Sequence, residues 1–301
     1  MSEQKRVTRT RLKDQKNTMA NEIIRIKNFS YGYEGAKTLA LKHVSFSVNE
    51  GEFLGIIGCN KAGKSTLCQS MVGVLPYVLG GRWEGTIHVA GKNLEDSQGA
   101  SAADVIGIVF QDAESQFTQE TVEDEIAFAM CNFGYERALM RQRVEEASRA
   151  CGLYEMLARS PFRLSGGQQQ RLAVACILAL QPRVIILDES TSQLDPIGRN
   201  EVFTLVKQLH AAGRTIIMVD HNIEKIAEYA DRVLVMHEGE VKMNGPVREI
   251  FGEIEALRFL TIRVPQVTTA ASLLGDRLGG ALPVNLEQAK VSFAPLKRSA
   301  Q

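Results

Sequence analysis

Net charge is the first thing this chain lacks. Its 35 Lys and Arg residues balance 35 Asp and Glu, which argues against a protein whose main work is neutralising nucleic-acid phosphate. Long apolar runs are also missing. The longest, Leu172–Leu180, is about half of what a bilayer crossing needs. The five cysteines (Cys59, Cys68, Cys131, Cys151, Cys176) are odd in number and include no CxxC pair. That pattern suits reduced thiols in a cytosol better than a disulfide framework or a zinc site. No apolar stretch follows Met1, so no secretory signal is expected, and no repeat or low-complexity segment is present.

What remains is a globular composition. With 301 residues, 45% of them hydrophobic, the chain can bury a full core as one large domain or two small ones. Residues 1–20 carry Lys5, Arg6, Arg9, Arg11, Lys13 and Lys16 against Glu3 and Asp14. This basic stretch reads as a solvated tail, with an anionic-lipid contact as the sharper alternative; Met19 is a second candidate start.

Beyond the tail, strand-like and helix-like segments alternate. Glu52–Ile57, Val105–Phe110, Val184–Leu187, Thr215–Val219 and Arg232–Met236 read as strands; Lys64–Val72, Asp195–Gly213 and Asn222–Ala230 read as helices. Continuous apolar strands between helices predict a mostly parallel sheet covered on both faces, hence an α/β fold. The helix-rich stretch at about 112–182 interrupts the alternation and reads as an inserted subdomain. Thr121 and Asp124 are spaced there as a capping box, with Gly152 as a helix stop.

Gly58-Cys59-Asn60-Lys61-Ala62-Gly63-Lys64-Ser65, followed by Thr66, fits G-x-x-x-x-G-K-[ST] between a strand and a helix. That context aims backbone amides and a helix N-terminus at phosphates. Lys64 is expected at the β- and γ-phosphates and Ser65 on Mg²⁺. Asp188 and Glu189 end the apolar strand Val184–Leu187. Asp188 is the second candidate for Mg²⁺, and Glu189 the candidate to polarise an attacking water. Ser165-Gly166-Gly167-Gln168 has capping-box spacing and two glycines ahead of an apolar helix running to Leu180, a second anion site far from the first in sequence.

Leu164-Ser165-Gly166-Gly167-Gln168-Gln169-Gln170-Arg171 resembles the signature of the ATP-binding-cassette (ABC) ATPases. The resemblance spans about residues 22–252 and six ordered motifs. It implies a P-loop core with an N-terminal antiparallel β part, an inserted helical signature subdomain, and a C-terminal extension at 253–301. It also implies ATP with Mg²⁺, and a dimer in which Ser165–Gln168 face the γ-phosphate held by the other subunit. By the same resemblance Gln111 contacts Mg²⁺ and the attacking water, and Ser192-Gln193-Leu194-Asp195 couples the two sites. His221 becomes the switch histidine that contacts the γ-phosphate and positions Glu189. Tyr33 becomes the aromatic that stacks on adenine, with Tyr31 as the fallback.

Some positions depart from the pattern. Lys61 stands where glycine is usual, and its cation either tightens nucleotide binding or points to solvent. Asp220 and Asn222 flank His221 in place of Thr or Ser and of Asp, and Ser190 follows Glu189.

Val109-Phe110-Gln111-Asp112-Ala113-Glu114-Ser115-Gln116-Phe117, then Thr121–Phe128, is similar to the ATPase subunits of energy-coupling-factor transporters for vitamins, cobalt or nickel. That similarity implies a second ATPase subunit, integral membrane partners docking near Gln111–Phe128, and a place at the cytoplasmic face of the membrane. Phe110, Phe117, Ile126 and Phe128 are the candidate groove residues; packing within the helical subdomain is the alternative for each. The C-terminal extension, read as two weak helices among Pro265, Pro283 and Pro295, is expected to assist dimerisation. A soluble cassette ATPase acting on DNA or the ribosome is the competing class. It usually needs a coiled-coil insertion or two cassettes, and only 53 residues separate Gln111 from Ser165. A transport motor without nucleic-acid partners is therefore expected.

Overall fold

The computed structural model describes residues 21–192, 194–274 and 282–298. The basic tail and Gln193, for which expectations were stated, lie outside the described residues. Strands β1 (Glu22–Gly32), β2 (Leu41–Asn49) and β3 (Phe53–Gly58) lead into helix α1 (Lys64–Met71). Next come β4 (Arg82–Val89), β5 (Lys92–Asn93), β6 (Ile106–Val109), α2 (Val122–Asn132), α3 (Arg137–Ala150) and α4 (Gly166–Ala179). Then follow β7 (Val184–Asp188), α5 (Pro196–Ala211), β8 (Thr215–Val219), α6 (Ile223–Tyr229), β9 (Arg232–His237) and β10 (Glu240–Pro246). Four helices close the described chain: α7 (Val247–Gly252), α8 (Ile254–Phe259), α9 (Gln266–Ser272) and α10 (Leu286–Arg298).

One sheet, β2-β1-β4-β5, is antiparallel; the other has the order β10-β9-β3-β8-β7-β6 and is parallel except for β10. The apolar strands of the parallel sheet divide their side chains between two cores. Phe53, Ile57, Ile185, Leu187, Ile216, Met218, Val233 and Val235 join one; Leu54, Ile56, Val184, Ile186, Ile217, Val219, Leu234 and Met236 join the other. A pleated strand imposes that period of two. Both faces are apolar because α2–α6 cover one, while α1 and the antiparallel sheet cover the other. Gly107 lets α4 approach closely: a Cβ there would stand 2.0 Å from Ile177.

Sequence reasoning missed β10. Its signal is the two-residue turn Glu238-Gly239, both at positive φ, which suits a tight hairpin. The C-terminal extension holds three described helices after α7 (α8, α9 and α10) where two weak segments were expected. The Thr121 box is half formed. Its hydroxyl accepts from the Asp124 amide, but the short Asp124 carboxylate returns to that hydroxyl. The groove expectation also needs correction. Phe117 and Ile126 are buried in the core, whereas Phe128 is 41% exposed and Phe110 is half-buried.

Candidate active site

Parallel strands open their carboxyl ends onto one edge of a sheet, and the candidate residues gather there. β3 ends in the phosphate loop, β8 in Asp220 and His221, β7 in Asp188 and Glu189, and β6 just before Gln111. β8 separates β3 from β7, yet the side chains bridge the gap. The Ser65 hydroxyl donates to Asp188 Oδ1 at 3.1 Å. Lys64 Nζ donates to the carbonyls of Gly58 (3.1 Å) and Cys59 (3.2 Å) and lies 3.3 Å from Glu189 Oε1. His221 Nε2 stands 3.2 Å from the same carboxylate oxygen. Lys64 is buried and Glu189 nearly so, while half of the His221 side chain is exposed.

The loop's backbone suits an anion. Gly63, at φ +97°, opens α1 without a side-chain cap. A Cβ at that position would come within 2.8 Å of the Ala40 carbonyl. The amides of Gly63, Lys64, Ser65 and Thr66 have no protein acceptor among the described residues, so four donors point outward at a helix N-terminus. Beside them Ser65 and Asp188 form an oxygen pair of the kind Mg²⁺ prefers. Burial pushes the Asp188 carboxyl above its ordinary range; the Ser65 hydroxyl opposes that, and the neighbouring Glu189 charge adds to it. ATP and Mg²⁺ both fit this donor set.

Glu189 occupies a left-handed conformation, φ +50°, which costs a non-glycine residue about 1–3 kcal/mol and survives where its surroundings enforce it. Here its amide donates to the Val219 carbonyl at 2.9 Å. Asp220 braces both loops. Its buried carboxylate accepts from the Thr191 hydroxyl and, at 2.7 Å, from the Asn222 amide. Asn222 in turn caps α6 through the Lys225 amide. Asp220 is thus occupied as a structural tie, and sequence reasoning left its role open. Gln111 is exposed two residues beyond Val109, which pairs with Leu187 in the register of β6 and β7.

Tyr31 and Tyr33 part company. Tyr31 is 1% exposed and donates its hydroxyl to the Gly80 carbonyl, so it offers no face to a base. Tyr33 is 43% exposed, and its hydroxyl lies 3.0 Å from the Thr66 hydroxyl at the phosphate loop. Lys61 and Asn60 are exposed at the tip of the loop.

Lys61 has φ +65° and joins no ion pair among the described residues. Lys61→Gly removes left-handed strain of about 1 kcal/mol but loosens the unfolded chain, so a small rise in melting temperature is expected. Loss of one exposed cation is worth about 1 kcal/mol at most. ATP affinity should therefore fall no more than about fivefold, read by nucleotide titration.

The second anion site stands apart. Ser165 accepts from the Gln168 amide (3.4 Å) while Gln168 Oε1 accepts from the Ser165 amide (2.9 Å), a complete capping box. Gly166 and Gly167 line one cavity with Asp195, whose carboxylate caps α5 through the Gly198 amide at 2.7 Å. That cavity shares no lining residue with the one containing Gly58, Asn60 and His221. Within one chain the signature lies beside Asp195, and among the described residues no hydrogen bond or ion pair joins Ser165–Gln168 to the phosphate loop.

The family model described as ABC transporter matches residues 41–192. The chain is 40% identical over 278 residues to the energy-coupling factor transporter ATP-binding protein EcfA2 of Caldanaerobacter subterraneus subsp. tengcongensis, covering 89% of this chain and 95% of that protein. It is 40% identical over 262 residues to EcfA1 of Lacticaseibacillus paracasei, covering 87% and 92%. The structure of cbiO1 from Clostridium perfringens, part of the ABC transporter complex cbiONQ, superposes with a TM-score of 0.70 at 33% identity, over 82% of this chain and 97% of that one. With that likeness running well beyond the nucleotide loops, the chain belongs to the ABC transporter ATP-binding family, whose members bind and hydrolyse ATP with Mg²⁺.

Proposed function

We propose that this chain is the ATP-hydrolysing subunit of an energy-coupling-factor type importer, powering uptake of a vitamin or transition-metal ion through separate membrane subunits. The observation that carries this reading is the 40% identity across nearly the whole of two energy-coupling factor ATPases. Among the described residues no helix is long and apolar enough to cross a membrane. In this proposal the chain works at the cytoplasmic face, beside integral partners and a second ATPase subunit. Exposed Phe128, close in sequence to Gln111, is the candidate for membrane-partner contact.

In this reading the open amides of Gly63–Thr66 and the Lys64 ammonium hold the phosphates, and Tyr33 supports the base. Ser65, Asp188 and Gln111 would hold Mg²⁺, which would supply charge neutralisation at the phosphates. Glu189 accepts a proton from the attacking water, while His221 holds its carboxylate in place. Catalysis is then largely positional and electrostatic. Ser165–Gln168 and Asp195 serve the nucleotide on the facing subunit, consistent with a similar cassette at 27% identity (TM-score 0.64) that is dimeric in its ADP- and phosphate-bound state.

Affinity purification of the tagged chain from solubilised membranes tests the assignment. Integral membrane subunits should co-purify with it. Recovery solely in soluble complexes with ribosomes or DNA would overturn it.

A further inference from the structure

The phosphate loop touches a part of the chain two hundred residues away. Cys59 Sγ lies 2.9 Å from Thr261 Oγ1 and 3.4 Å from the Leu260 carbonyl. The Thr261 hydroxyl donates to that carbonyl at 2.7 Å, which leaves its oxygen free to accept the Cys59 S–H. Thr261 holds this position at φ +57°. A β-branched residue in the left-handed region is an outlier, and such strain persists where surrounding structure over-determines it, commonly beside functional sites.

The surroundings here do so. Leu260 and Ile262, on either side, are buried in the core that also holds Phe53 and Ile57 of β3, the strand feeding the phosphate loop. The Ile262 amide closes the turn onto the Leu257 carbonyl at 2.8 Å. With both neighbours anchored, Thr261 presents its hydroxyl to Cys59. On its other side Cys59 offers its carbonyl to Lys64 Nζ. The connection runs from the C-terminal extension to the thiol, and from there to the lysine of the loop. Thr261–Arg263 also line one cavity with Gly58, Asn60 and His221.

We propose that Thr261 is a positioning residue for the nucleotide site. It holds Cys59, and thereby the loop carbonyl on which Lys64 rests, so the C-terminal extension sets nucleotide affinity. The proposal rests on the reading of Gly58–Thr66 as the ATP phosphate loop.

Full-length protein is titrated with Mg-ATP and assayed for KM and kcat in four variants. Thr261→Gly deletes the hydroxyl and relieves the strained backbone; Thr261→Ser keeps the hydroxyl; Cys59→Ala removes the thiol; the fourth combines Thr261→Gly with Cys59→Ala. Thr261→Gly and Cys59→Ala are each expected to weaken ATP binding about three- to tenfold, the effect of one neutral hydrogen bond. For Thr261→Gly the change should fall on KM more than on kcat. The double variant should bind no more weakly than the weaker single one, because both remove the same link. Thr261→Ser should stay within about twofold of the parent. Unchanged affinity in Thr261→Gly, additive losses in the double variant, or a lowered melting temperature without a change in affinity would each overturn the proposal. Should Thr261→Gly fail to fold, Cys59→Ala interrogates the same link from the other side, and unchanged affinity there refutes it. Lys64→Ala separates the two levels. If Lys64→Ala binds ATP like the parent, the phosphate-loop reading fails. If Lys64→Ala loses binding while Thr261→Gly keeps it, only the Thr261 proposal fails.

Discussion

Glu189→Gln is expected to lower ATP turnover about 10²–10⁴-fold, the usual contribution of a general base, while leaving ATP binding intact. The substitution keeps the side-chain shape and both heavy-atom contacts, to Lys64 Nζ and His221 Nε2. It removes the negative charge that can take a proton from water. The phosphate donors lie elsewhere, in the amides of Gly63–Thr66 and in Lys64, so the nucleotide should still bind. Removing a carboxylate 3.3 Å from Lys64 also removes a competitor of the phosphates for that ammonium. Where the chain pairs with itself, closed, ATP-loaded dimers should therefore accumulate, seen as a doubling of mass by light scattering with Mg-ATP and its absence with ADP. Parent-like turnover in purified Glu189→Gln would exclude Glu189 as the base.

Much of this site was legible because its signals are local. The phosphate loop, the acidic pair after Leu187, and the Ser165–Gln168 cap each follow from residues within one turn or one strand end. The parallel sheet was legible because both faces of β3, β7, β8 and β9 are buried, which leaves uninterrupted apolar runs. Contacts that depend on remote packing were not. Helical spacing does separate Phe128 from Ile126, a signal the sequence reading did not use: Val122, Ile126 and Met130 form one buried stripe of α2, and Phe128 lies off it. The choice between Tyr31 and Tyr33 turned on the Gly80 carbonyl, 49 residues downstream of Tyr31. The role of Asp220 stayed open in the sequence because its carboxylate is taken up by Thr191, 29 residues before it in the chain. The link from Cys59 to Thr261 left no trace in the sequence beyond two unremarkable side chains.

Gly166→Glu should abolish coupled turnover, by at least about a hundredfold, without harming the fold. A Cβ at Gly166 meets only Leu194 Cδ2, at 3.7 Å, and the backbone there is not left-handed. Gly167 differs: a Cβ there would approach Gly198 Cα to 3.1 Å. A carboxylate at the first position of α4 even favours the helix, by about 0.3–1 kcal/mol. Stability should therefore hold or rise while an anion occupies the place proposed for the facing subunit's γ-phosphate. Because the signature and the phosphate loop lie in separate cavities of one chain, ATP affinity of the isolated chain should be unchanged. Mixing Gly166→Glu with Lys64→Ala sharpens the test where the chain pairs with itself. One mixed interface joins an intact phosphate loop from the first variant to an intact signature from the second, so hydrolysis should return where neither variant alone supports it. Where the partner is a second ATPase chain, the loss from Gly166→Glu should appear at the partner's nucleotide. Lowered ATP affinity in the isolated Gly166→Glu chain would instead place the signature and phosphate loop at one nucleotide within a single subunit, and the shared-site dimer would have to be abandoned.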